Sequence, residues 1–506
     1  MSALQSYMDR YGVSDSLRSW LDTPKGHFIG GRVIDGGSDE RLDVIEPYTG
    51  GVLTTIPKIG SDSLDAAVAA AQAALLGAWG QLMPLGREQA ILRLADLLED
   101  HTEEFAQLES LDVGKAVRDA RVIDVAGSVD NFRYFAGWAS KLDGRTTRAV
   151  SAPGDPMMMT LKGPVGVVAA IIPWNFPLQT LVWKLAAALT CGCTCVVKPS
   201  EITPLSALRL AELATEAGLP DGVINIVNGV GTDVAVAMAK HPGIQKITFT
   251  GSTPVGHSLG QLAVAHNKRM TLELGGKSPV IVTNNADLER AATAILGGVF
   301  LNAGQVCDAG SRVYVQSDVA DALVERLAEG AKALPPGPGL DPKSAMTPLV
   351  SKGHAMRVRS HIAGAHNEGA QLVTGMTAAE ADADDGNFVP PTIFDGCDES
   401  MSIVREEVFG PVLAVSRFET LSEGIARANS SIYGLASAVY SRDIDEALAL
   451  TRSLRAGNVY VNAHGLLDPA MPFGGLNASG FGKDMGPEQL DSYLETKAVY
   501  IDVAPA

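Results

Sequence analysis

The stretch VGVVAAIIPWNFPLQTLVWKLAAALTCGCTCVVKPSE, residues 165–201, decides the fold. Its apolar run over 165–172 ends at Pro173 and is typical of a strand buried on both faces. The following residues predict a helix over about 178–190, and CTCVVK over 193–198 predicts a second buried strand. An apolar strand, a helix and another apolar strand in this order favour parallel pairing beneath a covering helix.

The same alternation continues on both sides of this stretch. Upstream, REQAILRLADLLEDH (87–101) places apolar residues on one helical face. Downstream, the predicted elements are a helix over 205–218, the strand VINIVNG, a helix from about Asp233 and the strand KITFTGS. After Gly275-Gly276 a second series begins with VIVTN, a helix over 287–302, RVYVQ and a helix over 319–333, and it ends with PVLAVSRF, ASAVYSRD and GNVYVN. The sequence therefore predicts two doubly wound α/β domains with a boundary near Gly275.

Two strand-like segments, 146–162 and 494–503, belong to neither series. They are expected to pair as a small outlying sheet, and its exposed edges favour association into an oligomer. The stretches PPGPGLDP (335–342) and ADADDGN (381–387) predict loops.

The composition limits the class of protein. A chain of 506 residues is too long for one core, and its net charge of −18 argues against general attraction to nucleic acid or anionic membranes. The first twenty residues lack a signal-peptide core, and the longest apolar runs are about half a membrane span. Five cysteines, an odd number, favour a reducing compartment. We therefore expect a cytoplasmic protein that acts on small molecules.

Three of the cysteines, Cys191, Cys193 and Cys195, stand at every second position. Zinc sites more often separate paired thiolates by two residues, and no histidine lies nearby in the sequence. Alternation along a strand favours packing over metal binding, so no metal is expected.

Two side chains suggest covalent chemistry. Cys307, in NAGQVCDAGSR, has small neighbours that give a substrate access to the thiol, although a lone cysteine is more often structural. Glu273, in TLELGGKSP, is a carboxylate in an apolar strand. Burial should raise its pKa toward the range of a general base, whereas an exposed glutamate at a strand end is the alternative.

Three further segments suggest a ligand. IIPWNFPL (171–178) predicts a turn at a strand end that exposes Trp174 and Phe176 and offers the Asn175 amide to an oxyanion. FTGSTPVG (249–256) predicts a turn and helix N-terminus able to bind a phosphate. In KPSE (198–201), Lys198 can reach a phosphate or ribose, and Glu201 can bind ribose hydroxyls while repelling a 2′-phosphate.

Together these motifs resemble the aldehyde dehydrogenase superfamily, in its NAD-dependent, non-acylating branch. PWNFP, KPSE, FTGST-x-x-G, ELGGKSP, GQ-x-C, EEVFGPV (406–412) and PFGG (472–475) occur in the family's order, and Cys307 follows Glu273 by 34 residues. The likeness covers roughly residues 26–500. The stretch NAHGLLDPAMPFGG (462–475) looks most like phenylacetaldehyde dehydrogenases.

The resemblance implies the aldehyde dehydrogenase fold, with a Rossmann-like NAD-binding domain, a catalytic domain and a small oligomerisation sheet. We expect the first to span 1–145 and 163–274, the second 275–475, and the oligomerisation segments to be 146–162 and 476–506. A homodimer or homotetramer is implied, with tetramer as the first expectation.

The resemblance also implies roles for single residues. Cys307 would be the nucleophile, Glu273 the base that activates water, and the Asn175 amide and Cys307 N–H the oxyanion hole. Lys184 and Asp484 match positions linked to proton relay. The residues expected at NAD are Ile171, Trp174, Lys198, Ser200, Glu201, Gly231, Gly251, Ser252, Val255, Leu274, Gly275, Glu407 and Phe409. The residues expected along the aldehyde tunnel are Phe176, Trp183, Val306, Asp308, Leu467 and Phe473, with Gly127 at its side.

The implied reaction is oxidation of an aldehyde to its acid through a thioester on Cys307. An apolar tunnel without an evident arginine favours an aromatic aldehyde or arylacetaldehyde over semialdehydes of dicarboxylic acids, and a broad-specificity aliphatic enzyme is the alternative. More distant alternatives are a CoA-acylating enzyme, which usually lacks the base corresponding to Glu273, a cofactor-free cysteine esterase and a non-catalytic relative.

Two positions depart from the family pattern. Asn477 stands where many relatives carry lysine, with little expected effect. Asp308 directly follows the nucleophile, where relatives often have a small or apolar residue. If it faces the thiol it would raise the pKa of Cys307 and resist anionic substrates. Alternatively it points away into hydrogen bonds; the sequence leaves both open.

Overall fold

The computed structural model describes residues 2–35, 40–152, 156–383 and 386–502. Residues 384–385 of the predicted loop and residue 503 of the last predicted strand lie outside this part. Two large sheets, each mainly parallel and covered by helices, confirm the predicted α/β class.

The first sheet has eight strands, and its five central strands run parallel. Val167–Ile171 and Thr194–Lys198 are buried at every position because helices cover both faces. In sheet order the strands are Gly480–Phe481, Arg269–Glu273, Lys246–Thr250, Val167–Ile171, Thr194–Lys198, Ile224–Ile226, His27–Ile29 and Arg32–Ile34. The helices of this half of the chain are Ala3–Arg10, Asp15–Asp22, Ser61–Leu76, Pro84–Asp100, Thr102–Val113, Val117–Asp119, Ala126–Ala136, Pro177–Thr190, Leu205–Glu216, Gly231–Lys240 and Thr253–Ala265, with a π-helical turn at Ala120–Val125.

The second sheet has seven strands, of which six run parallel. In sheet order they are Gln371–Thr374, Thr392–Asp395, Val412–Phe418, Arg312–Gln316, Pro279–Val282, Ala436–Tyr440 and Asn458–Val461. Its α-helices are Leu288–Phe300, Ser317–Lys332, Lys352–Asn367, Ala378–Ala383, Ser402–Arg405, Leu421–Ala428 and Ile444–Ser453, and 3₁₀ turns lie at Leu301–Gly304, Asn477–Ser479 and Pro487–Tyr493.

The two strand-like segments left over in the sequence pair with each other, as expected. Leu494–Ile501 runs antiparallel to Met157–Pro164, which also pairs with Thr146–Thr147. Gly480–Phe481 lies within the segment 476–506 that the sequence assigns to oligomerisation, but it pairs with Arg269–Glu273 in the first sheet. A separate hairpin joins Arg41–Ile45 to Val52–Pro57.

Packing explains the polar and apolar patterns singled out in the sequence. The apolar face of Pro84–Asp100, including Ile91, Leu94, Ala95 and Leu98, is buried. Cys191, Cys193 and Cys195 are buried in the same core as that helix. Within the described residues, no helix combines the length and apolar composition needed to cross a membrane.

The carboxyl ends of four neighbouring parallel strands define one edge of the first sheet. Ile171 lies level with Lys198 on one side and with Phe249 on the other, and Thr250 lies level with Glu273. In an open α/β sheet this edge is where ligands bind. The loops that follow these strands therefore set the location of the candidate site.

Candidate active site

A cavity of about 950 Å³ opens at this edge and is lined by residues from both halves of the chain. It brings together every sequence-predicted catalytic, cofactor and tunnel residue except Lys184. Side chains and loops far apart in the chain thus meet in one space. An aldehyde and a dinucleotide could share it.

The nucleophile segment follows the helix Leu288–Phe300 through a strained turn. Asn302 and Ala303 have φ values of 49° and 54°, a left-handed conformation that non-glycine residues seldom adopt. The Gln305 side chain fixes the turn by donating to the Asn302 carbonyl at 2.9 Å and accepting from the Val350 N–H at 3.0 Å. Strain held by such contacts is typical of functional sites, where it positions a reactive group.

Asn175 is bound to this turn. Its side-chain amide donates to the Gln305 carbonyl at 2.9 Å, and its own carbonyl accepts from Asn302 at 3.1 Å. An amide has two N–H donors, so the second remains for a ligand in the cavity that Asn175 lines. This geometry suits a group that stabilises an oxyanion near Cys307.

The Cys307 thiol is partly exposed to the cavity and lies in an acidic environment. Burial raises its pKa well above the ordinary value, and the carboxylates of Asp308, Glu407 and Glu273 raise it further. The thiol is therefore protonated at neutral pH in the free protein and needs a proton acceptor before it can attack a carbonyl.

Glu273 is the buried carboxylate that the sequence suggests. Burial and the nearby Asp484 raise its pKa well above the ordinary value, more than Lys184, Lys483 and the Gly475 N–H lower it. Neither carboxylate oxygen completes a hydrogen bond with any residue that the structure describes. A buried carboxylate of this kind is a strong proton acceptor when ionised.

Two glycines allow the PFGG loop to lie against Glu273 and the ELGGKSP loop to lie against Cys307. A Cβ on Gly474, in PFGG, would lie 2.3 Å from Glu273 Oε1. A Cβ on Gly276, in ELGGKSP, would lie 2.6 Å from the Cys307 carbonyl oxygen. Both distances are below any tolerable contact, so these positions need glycine to keep the base and the nucleophile beside the loops.

Lys184 is buried next to the cavity but is not one of its lining residues. Its ammonium pairs with Asp484 Oδ2 at 2.8 Å, and both side chains are buried. Gln489 donates to the other Asp484 oxygen at 3.1 Å. Asp484 itself lines the cavity, so the pair connects the region of Glu273 to the protein interior.

The far end of the cavity has the features expected of a ribose and phosphate site. Lys198 Nζ lies 2.7 Å from Glu201 Oε2, and the Gly231 N–H donates to Glu201 Oε1 at 3.2 Å. Burial opposes ionisation of Glu201, but Lys198 and these hydrogen bonds lower its pKa below the ordinary value. The helix Thr253–Ala265 begins at the cavity, where Ser252 and Val255 are part of the lining, and a helix N-terminus there suits a phosphate.

Apolar side chains surround the nucleophile. Trp183, Leu435, Phe473 and Met485 form a cluster against which Cys307 packs. The Trp183 and Phe473 rings lie 5.4 Å apart. The acyl side of the cavity is thus suited to an apolar group.

The prediction that Trp174 and Phe176 are both exposed is wrong for Phe176. Phe176 is buried, and the ammonium of Lys115 lies 4.1 Å from its ring centroid. Lys115 is in turn paired with Glu109 and Asp124 at 3.2 and 2.6 Å. The Phe176 ring therefore packs against a buried ionic cluster, and no local sequence pattern around Phe176 could indicate this contact.

The structure combines the two alternatives for Asp308. The carboxylate lines the cavity and raises the pKa of the neighbouring thiol, but its Oδ2 also accepts from the Tyr460 hydroxyl at 3.1 Å. The His464 ring lies 3.0 Å from the Asp308 carbonyl oxygen. Asp308 thus holds a carboxyl group beside Cys307, oriented by its hydrogen bond with Tyr460.

Sequence reasoning missed several residues at the cavity. His354 contacts Phe409, Tyr460 binds Asp308, and Arg357 and His464 are part of the lining. Arg357 is exposed and lies on the helix Lys352–Asn367, whose His354 contacts Phe409, so it does not bear on the expectation of an aldehyde tunnel without arginine. His354 and Arg357 belong to no segment quoted from the sequence. Tyr460 lies in the predicted strand GNVYVN and His464 in NAHGLLDPAMPFGG, but neither pattern marks these two side chains as site residues.

Comparison with known proteins agrees with this geometry. The family model described as "Aldehyde dehydrogenase family" matches residues 34–499. A phenylacetaldehyde dehydrogenase of Pseudomonas fluorescens is 44% identical, with 95% of this chain and 96% of that protein covered. The putative aldehyde dehydrogenase DhaS of Bacillus subtilis is 42% identical, with 97% and 98% covered.

Solved structures support the same assignment. The NAD⁺ complex of an aldehyde dehydrogenase from Bacillus cereus matches with a TM-score of 0.93 and 39% identity, covering 97% of this chain and 99% of that chain. The chain therefore belongs to the aldehyde dehydrogenase family and is an NAD-dependent aldehyde dehydrogenase.

Proposed function

We propose that this enzyme oxidises an aromatic aldehyde or arylacetaldehyde to the carboxylic acid. The observation that carries the proposal is the apolar cluster of Trp183, Leu435, Phe473 and Met485 against the nucleophile. An aromatic ring seated there would gain burial and ring contacts. The Asp308 carboxylate at the same place would repel an anionic substrate.

In the proposed mechanism, the Cys307 thiol gives its proton to solvent water, the thiolate attacks the aldehyde carbon, and the Asn175 amide stabilises the resulting oxyanion. NAD supplies the acceptor for the hydride that leaves the thiohemiacetal. Cys307 then holds a thioester, and Glu273 takes a proton from the water that hydrolyses it. Asp484 and Lys184 are proposed to relay that proton away from Glu273.

The residues at the far end of the cavity fit NAD. Lys198, Ser200 and Glu201 would hold the adenosine ribose, and Gly231, Gly251 and Ser252 would lie by the adenine and pyrophosphate. Glu407 and Phe409 would hold the nicotinamide riboside. Burial raises the pKa of Glu407 to about 7, and its Oε1 already accepts from the Gly276 N–H at 3.0 Å.

A panel of aldehydes tests the substrate class. Phenylacetaldehyde or another aromatic member is expected to show a kcat/KM about 100-fold above that of acetaldehyde, because burying a ring contributes roughly 2–3 kcal/mol. The measurement is NADH formation at 340 nm with acetaldehyde, hexanal, benzaldehyde, phenylacetaldehyde and succinic semialdehyde.

Two outcomes of this panel would contradict the proposal. Equal or higher kcat/KM with hexanal would favour the broad-specificity aliphatic alternative. A preference for succinic semialdehyde would mean that a cation such as Arg357 binds the substrate carboxylate.

Glu201→Ser tests the cofactor assignment. The change removes an acceptor for the ribose hydroxyls and a charge that would repel a 2′-phosphate. We expect the ratio of kcat/KM for NAD to that for NADP to fall by about 10- to 100-fold, since a hydrogen bond to a charged group contributes about 1.5–3 kcal/mol.

Glu325→Ser is a matched control for this change. Glu325 is exposed and lies on the helix Ser317–Lys332, away from the cavity lining. Its variant is expected to keep the wild-type ratio. An unchanged ratio in Glu201→Ser would remove Glu201 from the ribose site.

We also propose a cytoplasmic homo-oligomer that associates through the small sheet. Met157, Leu161 and Tyr500 are exposed apolar side chains on its strands Met157–Pro164 and Leu494–Ile501. Exposed apolar groups on a sheet with free edges favour pairing with a second copy. Light scattering of the purified protein distinguishes a dimer from a tetramer.

A further inference from the structure

Phe409 has an unusual backbone conformation at the cavity. Its φ is 57°, in the left-handed region, although the residue is bulky and carries no local hydrogen-bonding group. Such a conformation costs about 1–3 kcal/mol and persists only where surrounding contacts hold it. Phe409 also lines the cavity, so the contacts that hold it bear on the site.

One of those contacts comes from His354. The His354 ring nitrogen Nε2 lies 2.7 Å from the Phe409 carbonyl oxygen, and the side chain is buried. Burial lowers the pKa of His354 to about 4, so the ring is neutral at physiological pH. A carbonyl oxygen only accepts, so the single ring proton is on Nε2, which donates to Phe409.

Ring packing supplies a second contact. The His354 and Trp174 centroids are 5.0 Å apart at 63°, and Trp174 lies 5.2 Å from Phe409 at 83°. These are edge-to-face arrangements, which aromatic rings prefer. Trp174 belongs to the turn that carries Asn175, so the three rings connect the oxyanion side of the cavity to Phe409.

His354 itself is well fixed. It is the third residue of the helix Lys352–Asn367, and its backbone N–H donates to the Ser351 side chain that caps this helix. Its other ring nitrogen, Nδ1, is buried and has no hydrogen-bond partner among the described residues. The Phe409 carbonyl is therefore the polar contact that orients the ring.

We propose that His354 is a positioning residue: it holds Phe409 in its left-handed conformation and thereby presents the Phe409 ring to the nicotinamide end of NAD. The inference rests on the proposed role of Phe409 at the nicotinamide. His354 acts through Phe409 and takes no part in proton transfer.

His354→Leu tests this proposal through binding rather than activity. The apolar side chain keeps much of the volume but removes the donor. We expect calorimetry on the cofactor-free protein to show about tenfold weaker NAD binding. ADP-ribose lacks the nicotinamide, so its affinity is expected to stay within about twofold. A tenfold change corresponds to about 1.4 kcal/mol, the scale of one hydrogen bond.

Two further variants separate positioning from general damage. His354→Gln retains an amide donor and is expected to restore NAD affinity at least in part. In a Phe409→Ala background, His354→Leu is expected to add little, because the residue through which it acts has lost its ring.

Several results would overturn the proposal. These are equal weakening of NAD and ADP-ribose by His354→Leu, unchanged NAD affinity in that variant, and a full additional loss in the Phe409→Ala background. Failure of the proposed function would appear separately, as absence of turnover of the aldehyde panel by the wild-type enzyme.

Discussion

Replacing Cys307 with alanine is expected to lower kcat for aldehyde oxidation by at least about 10⁴-fold, the scale seen when a covalent nucleophile is removed. The reason is that no other side chain can form the thioester. The remaining cysteines, Cys191, Cys193, Cys195 and Cys397, are buried in hydrophobic cores and do not line the cavity. The measurement is NADH formation at 340 nm with saturating NAD and the preferred aldehyde.

The same variant should bind NAD with nearly wild-type affinity, because Lys198 and Glu201, the residues proposed to hold the adenosine ribose, are unchanged and are not among the groups that act on Cys307. Calorimetry checks this and shows that the site is intact. Cys397→Ala is the matched control, since it removes a thiol from the second core and is expected to keep kcat within about twofold. Oxidation by Cys307→Ala at a tenth of the wild-type rate or more would rule out Cys307 as the nucleophile.

The fold was largely predictable because it is encoded in local patterns. Val167–Ile171 and Thr194–Lys198 are runs of apolar residues, and such runs mark strands covered on both faces wherever they occur. The helix Pro177–Thr190 begins with the proline that ends PWNFP, which favours a helix start. The meeting of PWNFP, KPSE, ELGGKSP and GQ-x-C in one cavity follows from the placement of loops at the carboxyl ends of parallel strands.

Contacts between distant elements were not predictable. Tyr460 donates to Asp308 across 152 residues of sequence, and nothing around either residue indicates the other. The buried ring of Phe176 contacts Lys115, which is itself paired with Glu109 and Asp124. The sequence could therefore suggest which residues line the tunnel but not what fixes their orientation.

The charges around Cys307 limit which side chain can accept the proton of the hydrolytic water. Cys307 lies among three carboxylates that raise the pKa of its thiol. The ammonium of Lys184, which acts on Glu273, is paired with Asp484. A water that attacks the thioester in this setting must lose its proton to a group that is basic but not already hydrogen-bonded. Glu273 meets that condition, because neither of its oxygens has a hydrogen bond of full geometry with a described residue and the Gly475 N–H lowers its pKa less than burial raises it.

Glu273→Gln is therefore expected to separate the two halves of the reaction. Thioester formation should proceed and release close to one NADH per active site in a burst, because Cys307 and Asn175 are unchanged and the thiol proton goes to solvent water rather than to Glu273. Steady-state turnover should then fall by about 10²- to 10⁴-fold, since the amide cannot accept the water proton. Stopped-flow absorbance at 340 nm resolves the burst from the slow phase.

The pH profile and stability of this variant test the same assignment independently. Burial raises the pKa of Glu273, so wild-type turnover should rise as the pH passes that raised pKa, and the variant should lack this rise.

A group whose pKa is raised on folding destabilises the protein above its unfolded pKa, so the glutamine variant should melt no lower than wild type at pH 8. Loss of activity through unfolding would show the opposite shift. A wild-type steady-state rate would exclude Glu273 as the base, and absence of the burst would assign it instead to activation of the Cys307 thiol.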